Sequence, residues 1–481
     1  MSLFALSASE MRARLDAKEI SVRELLESHL ERIGSCESKI NAFLTLTTEI
    51  AYKNAGEAQE KINRGESDFL TGIPIAIKDN IVTKGIRTTC ASKILENWIP
   101  PFESTLVEKL KRSNPVLVGK TNMDEFAMGS STEFSGFKIT RNPWDLERVP
   151  GGSSGGSAAA VSAGFVPIAF GSDTGGSVRQ PASLCGVVGL KPTYGRISRY
   201  GLVAFSSSLD QIGPFGRTVE DVIFAFEAAM GRDVRDSTTV DAPYNAQVAR
   251  TPQIKGRKIG VPKELVSEEV SPEVLKVIKE TIELITKEGA EVEEISLPMI
   301  SQGVSTYYII APAEASSNLA RYDGVRYGLR VPATTAVEMM KLTRSEGFGK
   351  EVKERIMIGT YVLSAGYYEA FYAKAHKART VIKQQLREAF RTYDVLLAPT
   401  SPIPAFRIGE RIADPLAMKL ADYCTIPANI GGFPAINLFA GFSDGLPVGV
   451  QLIADTFDEE TLFSIALGME SILPKVRIAP C

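Results

Sequence analysis

The chain has 481 residues, 44% of them hydrophobic and 23% charged, with a formal net charge of −3 at pH 7. These values are ordinary for a soluble globular protein and give no general attraction to nucleic acid or to anionic membranes. The five cysteines are scattered and never spaced as C-x-x-C, which argues against a disulfide framework and a zinc site and favours a reducing cytoplasm. The longest segment of low polarity, residues 158–171, is too short to span a bilayer. We therefore expect a cytoplasmic protein with no membrane contact.

Residues 1–60 are predicted to form a helical N-terminal cover. Ser7 and Ser21 each begin an S-x-x-E pattern, in which the serine caps a helix and the glutamate reaches back to the cap. The elements expected here are helices that end near residues 18 and 33, a strand over residues 41–48 and a helix over residues 50–63.

The next expected strand ends in a lysine. Residues 72–78 read GIPIAIK, so Lys78 follows Ile75 and Ile77 directly out of an apolar strand. A solvated lysine does not need such neighbours, whereas a lysine placed inside a core does. Burial would lower its pKa from about 10.4 toward neutrality, so that the free amine could accept a proton.

Short apolar strands alternate with helices along the remaining chain, which predicts an α/β protein with a βαβ-type sheet buried on both faces. Further strands are expected near residues 116–119, 166–170, 259–261, 291–297, 395–397 and 447–454. Further helices are expected near residues 102–113, 158–163, 218–230, 272–288, 306–393 and 459–473. Residues 189–208 and 209–216 are rich in glycine and are expected to be loop and turn. Because there is no repeat or low-complexity linker, residues 1–481 are expected to form a single domain.

The stretch from Val149 to Gly186 has the most unusual composition. It contains two glycine-serine clusters, residues 151–157 and 175–177, joined by a small-residue helix and a short apolar strand. Glycine lets the backbone approach a ligand closely. Helix N-termini and strand ends leave N–H groups free to bind an anion or an oxyanion. We therefore expect the functional site here.

One hypothesis for this site is a histidine-dependent hydrolase. Gly151–Gly155 fits the G-x-S-x-G elbow, with Ser153 as the nucleophile. That enzyme needs a histidine, and the chain has only His29 and His376. His29 falls on the apolar stripe of an N-terminal helix, and His376 lies in a basic run that is typical of a solvated helix face. Both patterns disfavour the hypothesis.

Two other motifs are incomplete. No G-x-x-x-x-G-K-[ST] phosphate loop follows a strand in this region. Ser135–Lys138 fits the S-x-x-K pattern of β-lactamases, but the companion S-D-N and K-T-G elements are missing.

Three segments together resemble the amidase signature family: Ile77–Asp79, Gly151–Ser157 and Asp173–Arg179. The resemblance runs from about residue 6 to about residue 474. It implies an amidase signature fold, with a large mixed β-sheet core flanked by helices on both faces. It further implies a Ser–cis-Ser–Lys triad in which Lys78 is the base, Ser153 is the bridging serine in a cis peptide and Ser177 is the nucleophile.

The chemistry that this triad implies is amide hydrolysis. Neutral Lys78 takes a proton from Ser153, which takes one from Ser177 as Ser177 attacks a carboxamide carbon. The oxyanion would be held by the backbone N–H groups of Thr174, Gly175, Gly176 and Ser177, each such donor being worth about 3–4 kcal/mol of barrier.

Four more segments are similar to one branch of the family, the glutaminase subunits of tRNA-dependent amidotransferases. They are Thr121–Gly129, Lys191–Arg196, Tyr322–Gly328 and Arg344–Gly349. This resemblance implies a glutamine pocket formed by Tyr307, Arg355, Asp422, Gly129 and Ser130, with residues 300–393 shaping it. A zwitterion needs a cation for its carboxylate and an anion for its ammonium. Taken alone, however, Lys353–Arg355 is also typical of a plain charged helix face, and Ala421 and Cys424 depart from the family pattern around Asp422.

The resemblance also implies partners. A B subunit would activate misacylated Glu-tRNA or Asp-tRNA with ATP and Mg²⁺ and receive the ammonia, and a small C subunit would complete a heterotrimer. No cofactor or metal is expected in this chain itself. Two alternatives stay open: a free-standing amidase acting on other small amides, and an inactive scaffold that keeps the fold for assembly only.

Overall fold

A computed structural model describes residues 2–481 of the chain. Its strands are β1 Phe43–Leu46, β2 Pro74–Lys78, β3 Val116–Thr121, β4 Ile168–Asp173, β5 Val188–Lys191, β6 Gln211–Gly216, β7 Lys258–Pro262, β8 Glu291–Ile295, β9 Val395–Pro399, β10 Ala435–Ser443 and β11 Leu446–Ile453. They form one sheet in the order β1–β3–β2–β4–β6–β5–β10–β11–β9–β7–β8. Pairing is parallel among β3, β2 and β4 and among β9, β7 and β8, and antiparallel elsewhere. The predicted mixed α/β fold is confirmed.

Helices pack around this sheet. They are α1 Ala8–Asp16, α2 Val22–Ile40, α3 Thr48–Asn63, α4 Thr105–Ser113, α5 Gly155–Ser162, α6 Arg179–Cys185, α7 Val219–Ala229, α8 Ala246–Ala249, α9 Pro272–Lys287, α10 Gly303–Asn318, α11 Ala336–Gly347, α12 Lys350–Val362, α13 Lys374–Ala389, α14 Pro415–Leu420, α15 Ile426–Gly431 and α16 Glu459–Ile472. A π-helical turn, Tyr368–Ala373, precedes α13. Within residues 2–481, none of these helices has the length and hydropathy needed to cross a membrane.

The N-terminal helices begin as predicted but one of them is longer. Both capping boxes form, at Ser7 and at Ser21. Helix α2 continues to Ile40 instead of ending near residue 33, because Cys36 and Ile40 extend its buried stripe by helical spacing beyond Ile33.

The cysteines differ from the expectation in one respect. A disulfide joins Cys36 to Cys481, whereas the spacing of the cysteines argued against disulfides. The two residues are far apart in the chain, so spacing alone could not pair them. Cys90, Cys185 and Cys424 are buried free thiols.

The middle of the sheet departs most from the predicted elements. Residues 188–191 and 211–216 form β5 and β6, although the sequence around them indicated loop and turn. Strand β10, at Ala435–Ser443, was not predicted. The single helical region expected over residues 306–393 is divided into α10 to α13, with an irregular segment before α11.

Three parallel strands carry the glycine-serine region to one edge of the sheet. In the register of β2 with β3, Lys78 lies opposite Thr121, and in the register of β2 with β4, Ile77 lies opposite Phe170. The carboxyl ends of neighbouring parallel strands meet at the same edge, which is where α/β proteins bind ligands. The residues that follow β2, β3 and β4 therefore converge.

Candidate active site

Lys78 is completely buried at the end of β2. Its Nζ lies 2.7 Å from Ser153 Oγ, 2.8 Å from Ser154 Oγ and 3.0 Å from Ser172 Oγ. These three hydroxyl groups and the Ser172 carbonyl oxygen, at 3.4 Å, are uncharged, and within residues 2–481 no carboxylate forms an ion pair with Lys78. The lysine therefore has polar but uncharged groups as its nearest contacts.

Burial lowers the pKa of Lys78 to about 7. The carboxyl groups of Asp124, Asp173 and Asp210 act in the opposite direction, but from a greater distance, and they do not outweigh the loss of hydration. A substantial fraction of the amine is thus neutral near pH 7 and able to accept a proton.

Ser153 joins the lysine to the glycine-rich loop ahead of α5. Its side chain is buried, and the Gly152–Ser153 peptide bond is cis, as the resemblance implies. The next residue, Ser154, holds Lys78 from the other side and donates its hydroxyl proton to the Ser172 carbonyl oxygen at 3.1 Å. The backbone N–H of Ser154 donates to the Ser177 carbonyl oxygen at 3.2 Å, so the two glycine-serine clusters are in direct contact.

Ser177 lies on the loop that leaves β4, and 8% of its surface is exposed to solvent. Within residues 2–481, the amides of Gly175, Gly176 and Ser177 donate no hydrogen bond to another residue. Three neighbouring free N–H groups beside a serine are the arrangement needed to hold an oxyanion. In the same residues, Ser177 Oγ and Ser153 Oγ are not hydrogen-bonded to each other.

A buried ion pair fixes this loop. Arg179 Nε lies 3.1 Å from Asp173 Oδ2, and both side chains are inaccessible to solvent. Burial has the largest single effect on the pKa of Asp173 and raises it, but Arg179, Lys191 and Asn429 together leave that pKa lowered. Asn429 donates to Asp173 at 2.7 Å, and Asn429 and Gln451 each accept from Arg179. The loop between the two charged residues is therefore held at both ends.

Arg355 and Asp422 are both buried near the triad. Arg355, on α12, donates to Glu351 at 2.7 Å, and its guanidinium lies 5.5 Å from the ring centroids of both Phe205 and Tyr308. Asp422 accepts a hydrogen bond from Ser130 at 2.6 Å. Burial raises the pKa of Asp422 to about 7, and Ser130 and Arg355 oppose that rise. Since they are not within 4 Å of each other, the two charges do not form an ion pair in the described chain.

The other predicted pocket residues contact the loops that carry the serines or the residues next to them. Tyr307, on α10, packs against residues 174–177, the oxyanion loop, so closely that a Cβ on Gly175 would lie 2.8 Å from the tyrosine ring. Thr425 donates to the Gly175 carbonyl oxygen at 2.6 Å and to the Asp422 carbonyl oxygen at 3.0 Å. Gly129 precedes Ser130 and is packed against Asp124. The structure thus brings the predicted pocket residues together around the glycine-serine loops.

The histidine-dependent hypothesis finds no support in the described residues. His29 is fully buried in α2, with its Nδ1 3.2 Å from the Gly164 carbonyl oxygen. His376 is half-buried against Tyr372 on α13, a less solvated position than expected. Neither contacts Ser153.

The remaining motifs also have structural explanations. The S-x-x-K motif is separated into two unrelated contacts, Ser135 with Asn122 and Lys138 with Glu37. Among residues 2–481, no group of three or more His, Cys, Asp or Glu side chains could hold a metal ion.

Four residues near the site were not identified from the sequence. Ser172 and Asn80 extend the contacts of Lys78, because Asn80 Nδ2 donates to Ser172 Oγ at 2.9 Å. Asp124 and Glu125 are buried carboxyl groups at the end of β3, and burial raises the pKa of each to about 7. A usable signal was present, since the polar run NMDE directly follows an apolar strand parallel to that of Lys78.

The sequence model of the amidase family matches residues 24–463. The chain belongs to the amidase signature family. This match confirms the resemblance drawn from the three motifs, over nearly the range that the sequence analysis gave for it.

Within this family, the chain is similar to amidotransferase subunits and to a hydrolase. It is 56% identical to the A subunit of the glutamyl-tRNA(Gln) amidotransferase of Geobacillus thermodenitrificans over 474 residues, which covers 98% of each chain. The crystal structure of the A subunit of the Thermotoga maritima glutamyl-tRNA(Gln) amidotransferase is 45% identical, with a TM-score of 0.79 over 99% of each chain. A 6-aminohexanoate cyclic dimer hydrolase is 27% identical, with a TM-score of 0.86 over 100% of this chain and 99% of that one. The amidase fold therefore serves more than one substrate among these relatives.

Proposed function

We propose that this amidase is the glutaminase subunit of a tRNA-dependent amidotransferase. It would hydrolyse the side-chain amide of glutamine and supply ammonia for converting Glu-tRNA(Gln) to Gln-tRNA(Gln), with Asp-tRNA(Asn) as a further substrate to be tested. The identity of 56% to a protein with this role in its name supports the proposal.

The proposed chemistry uses the triad. Ser177 Oγ bonds to the amide carbon while its proton passes to Ser153, and the Ser153 proton passes to Lys78. The free amides of the Ser177 loop bind the oxyanion. The C–N bond then breaks, the proton returns through Ser153 to the leaving nitrogen, and ammonia departs. Water hydrolyses the ester on Ser177, releasing glutamate and restoring the serine.

One observation carries the choice of glutamine. Arg355 and Asp422 are a buried cation and a buried carboxyl group that border the triad without pairing with each other. Arg355 Nε is paired with Glu351 and one oxygen of Asp422 accepts from Ser130, but in the described residues the Arg355 Nη groups and the second Asp422 oxygen make no hydrogen bond. These remaining groups can bind ligand groups of opposite charge. The α-carboxylate and α-ammonium groups of glutamine are a matching pair. An uncharged amide would form neither of these charge-assisted contacts.

The proposal includes partner subunits. A B subunit would bind ATP, Mg²⁺ and most of the misacylated tRNA, and a C subunit would complete a heterotrimer in the cytoplasm. Co-purification from the native cell tests this directly, because two stable partners are expected and none would contradict it.

The decisive assay is ammonia release from glutamine by the chain with its partner subunits. Wild type, Arg355→Ala and Asp422→Ala are compared on glutamine and on butyramide, an uncharged amide. We expect each substitution to raise KM for glutamine by about 10- to 150-fold, since a hydrogen bond to a charged group is worth about 1.5–3 kcal/mol. Butyramide should be affected far less. If both variants use glutamine as well as wild type does, a free-standing amidase becomes the better assignment.

A further inference from the structure

Helix α12, which carries Arg355, starts against a side chain from a distant part of the sequence. Its N-cap residue is Gly349, so the helix has no capping side chain of its own. Glu125 takes the place of the glutamate of a capping box, because its Oε2 accepts a hydrogen bond from the amide of the N-cap residue Gly349 at 2.7 Å. A carboxylate at a helix N-terminus interacts favourably with the free N–H groups and with the helix dipole.

The same carboxylate binds a second segment. Glu125 Oε1 accepts a hydrogen bond from Ser92 Oγ, and that hydroxyl also lies 3.3 Å from the Gly347 carbonyl oxygen. Glu125 is 2% exposed. It therefore joins three separate parts of the chain: its own turn after β3, the segment at Ser92, and the junction between α11 and α12.

A local cap would stabilise the helix at less cost. A serine or aspartate at position 349 could cap α12 without burying a carboxyl group. Burial raises the pKa of Glu125 to about 7, against the effects of Ser92, the Gly349 amide and Lys353. What the distant carboxyl group adds is a fixed position of α12 relative to the end of β3.

The neighbouring residue, Asp124, holds the opposite side of the pocket. Its carboxylate accepts hydrogen bonds from the amides of Ser131 at 3.3 Å and Phe134 at 3.1 Å. This loop carries Ser130, whose hydroxyl donates to Asp422. Two adjacent acidic residues at the end of β3 thus connect to the two sides of the glutamine pocket, one to the helix of Arg355 and the other to the loop that contacts Asp422.

We infer that Glu125 is a positioning residue for substrate selection, which fixes the start of α12 and through it the distance between Arg355 and Asp422. This inference rests on the proposed function. Glu125 itself does not contact the triad, so the chemical step on an uncharged amide does not depend on it. Its effect is confined to substrates that engage Arg355.

The test compares variants of the chain with its partner subunits on glutamine and on butyramide. We expect Glu125→Ala to raise KM for glutamine about tenfold or more, since it removes hydrogen bonds to a charged acceptor. The kcat/KM for butyramide should change less than about threefold. Glu125→Gln can still accept from Gly349 and donate to Ser92, and it should restore KM for glutamine. Glu346→Ala is the matched control, because Glu346 is an exposed carboxylate on the last turn of α11.

A second variant, Gly349→Ala, disturbs the contact between Glu125 and Gly349 by changing Gly349 instead of Glu125. A Cβ on Gly349 would lie 2.4 Å from Glu125 Oε2 and has no other close neighbour than this carboxyl group. The backbone of Gly349, at φ −68°, accepts an alanine without strain. Gly349→Ala should therefore also raise KM for glutamine. In Glu125→Ala/Gly349→Ala the clash is gone, so the double variant should match Glu125→Ala alone instead of showing the product of the two effects.

The results of these assays show whether only the role of Glu125 is wrong or the proposed function is wrong as well. If Arg355→Ala raises KM for glutamine but neither Glu125→Ala nor Gly349→Ala does, the inference is wrong and the proposed function stands. An equal loss on glutamine and butyramide would show a general structural role and would also overturn it. If Arg355→Ala leaves KM for glutamine unchanged while Asp422→Ala raises it, the inference alone is wrong. If neither variant changes KM for glutamine, both proposals are wrong.

Discussion

Lys78 Nζ lies 2.7 Å from Ser153 Oγ, and neither side chain is exposed to solvent. Ser154 and Ser172 place two further hydroxyl groups within 3.0 Å of the same nitrogen. The Ser172 carbonyl oxygen lies 3.4 Å from this nitrogen as well. A neutral amine has two N–H donors and one lone pair, and only a hydroxyl among these partners can donate to the lone pair. If Ser154 and Ser172 accept the two N–H bonds, the lone pair points to Ser153. The contacts thus suit a lysine that acts as a base.

The rate of amide hydrolysis should rise with pH through about 7. Burial lowers the pKa of Lys78 to about 7, and below that pH the protonated amine cannot accept the Ser153 proton. The measurement is kcat for butyramide as a function of pH, because this substrate has no titrating group. A kcat that is independent of pH across this range would contradict a lysine base.

Lys78→Arg should be almost inactive. A guanidinium stays protonated at every accessible pH, and it is larger than the ammonium group that the three serines surround. The variant should fold, as judged by its circular dichroism spectrum. Near-normal turnover in a folded Lys78→Arg protein would rule out the proposed proton path.

Ser177→Ala should lower kcat by about 10³-fold or more, because the other hydroxyl of this loop, that of Thr174, donates to Asp210 at 2.7 Å. The fold should be intact, since Ser177 Oγ makes no hydrogen bond within the described residues. A glutamine-derived electrophile followed by mass spectrometry should label Ser177 in wild type and nothing in the variant. Labelling of Ser153 or Ser154 would show that the roles of the serines are assigned wrongly.

KM for glutamine should fall as the pH rises through about 7. Burial raises the pKa of Asp422 to about 7, and only the ionised carboxylate can bind the substrate ammonium. Ser130→Ala removes a donor that favours the ionised form, so the midpoint should move upward by about one to two pH units. KM for butyramide serves as the control and should not follow this titration. If the midpoint does not move in Ser130→Ala, another group is titrating.

His376→Ala should keep activity within a few-fold of wild type. His376 packs on Tyr372 and has no contact with the glycine-serine loops in the described chain. A loss of about 10³-fold, as expected for removing a triad base, would revive the histidine-dependent hypothesis. Steady-state turnover of glutamine is sufficient to decide.

The parts of the site that the sequence predicts best are those set by local pattern. Ile75 and Ile77 indicated that Lys78 would be buried in the core, and in the structure all of β2 is buried, Lys78 included. The partners of Lys78 were harder to predict, because Ser172 and Asn80 acquire their importance only when β2 and β4 lie side by side. Glu125 was missed for the same reason, since Gly349 is 224 residues away.

The missed strands show where local pattern misleads. Residues 211–216 contain two glycines and Pro214, a composition typical of turns. In the sheet, β6 pairs with β4 along its whole length, while its pairing with β5 covers only Phe215 and Gly216. Pro214 therefore lies outside the β5 ladder, where its missing N–H costs no hydrogen bond on that side. Tertiary pairing outweighs local propensity here.

The residues of the candidate site come from two distant parts of the sequence. Lys78, Ser153 and Ser177 all come from the parallel strands β2 and β4 and from the loops around them, whereas Arg355 and Asp422 come from the last third of the sequence. The residues proposed to break the bond therefore lie in the first half of the chain, whereas those proposed to select the substrate come from both halves, because Ser130 and Glu125 lie between Lys78 and Ser153. Substitutions at Arg355 can therefore change the substrate while Lys78, Ser153 and Ser177 stay in place. Two relatives that differ in substrate yet superpose over almost their entire length are the expected product of such an arrangement.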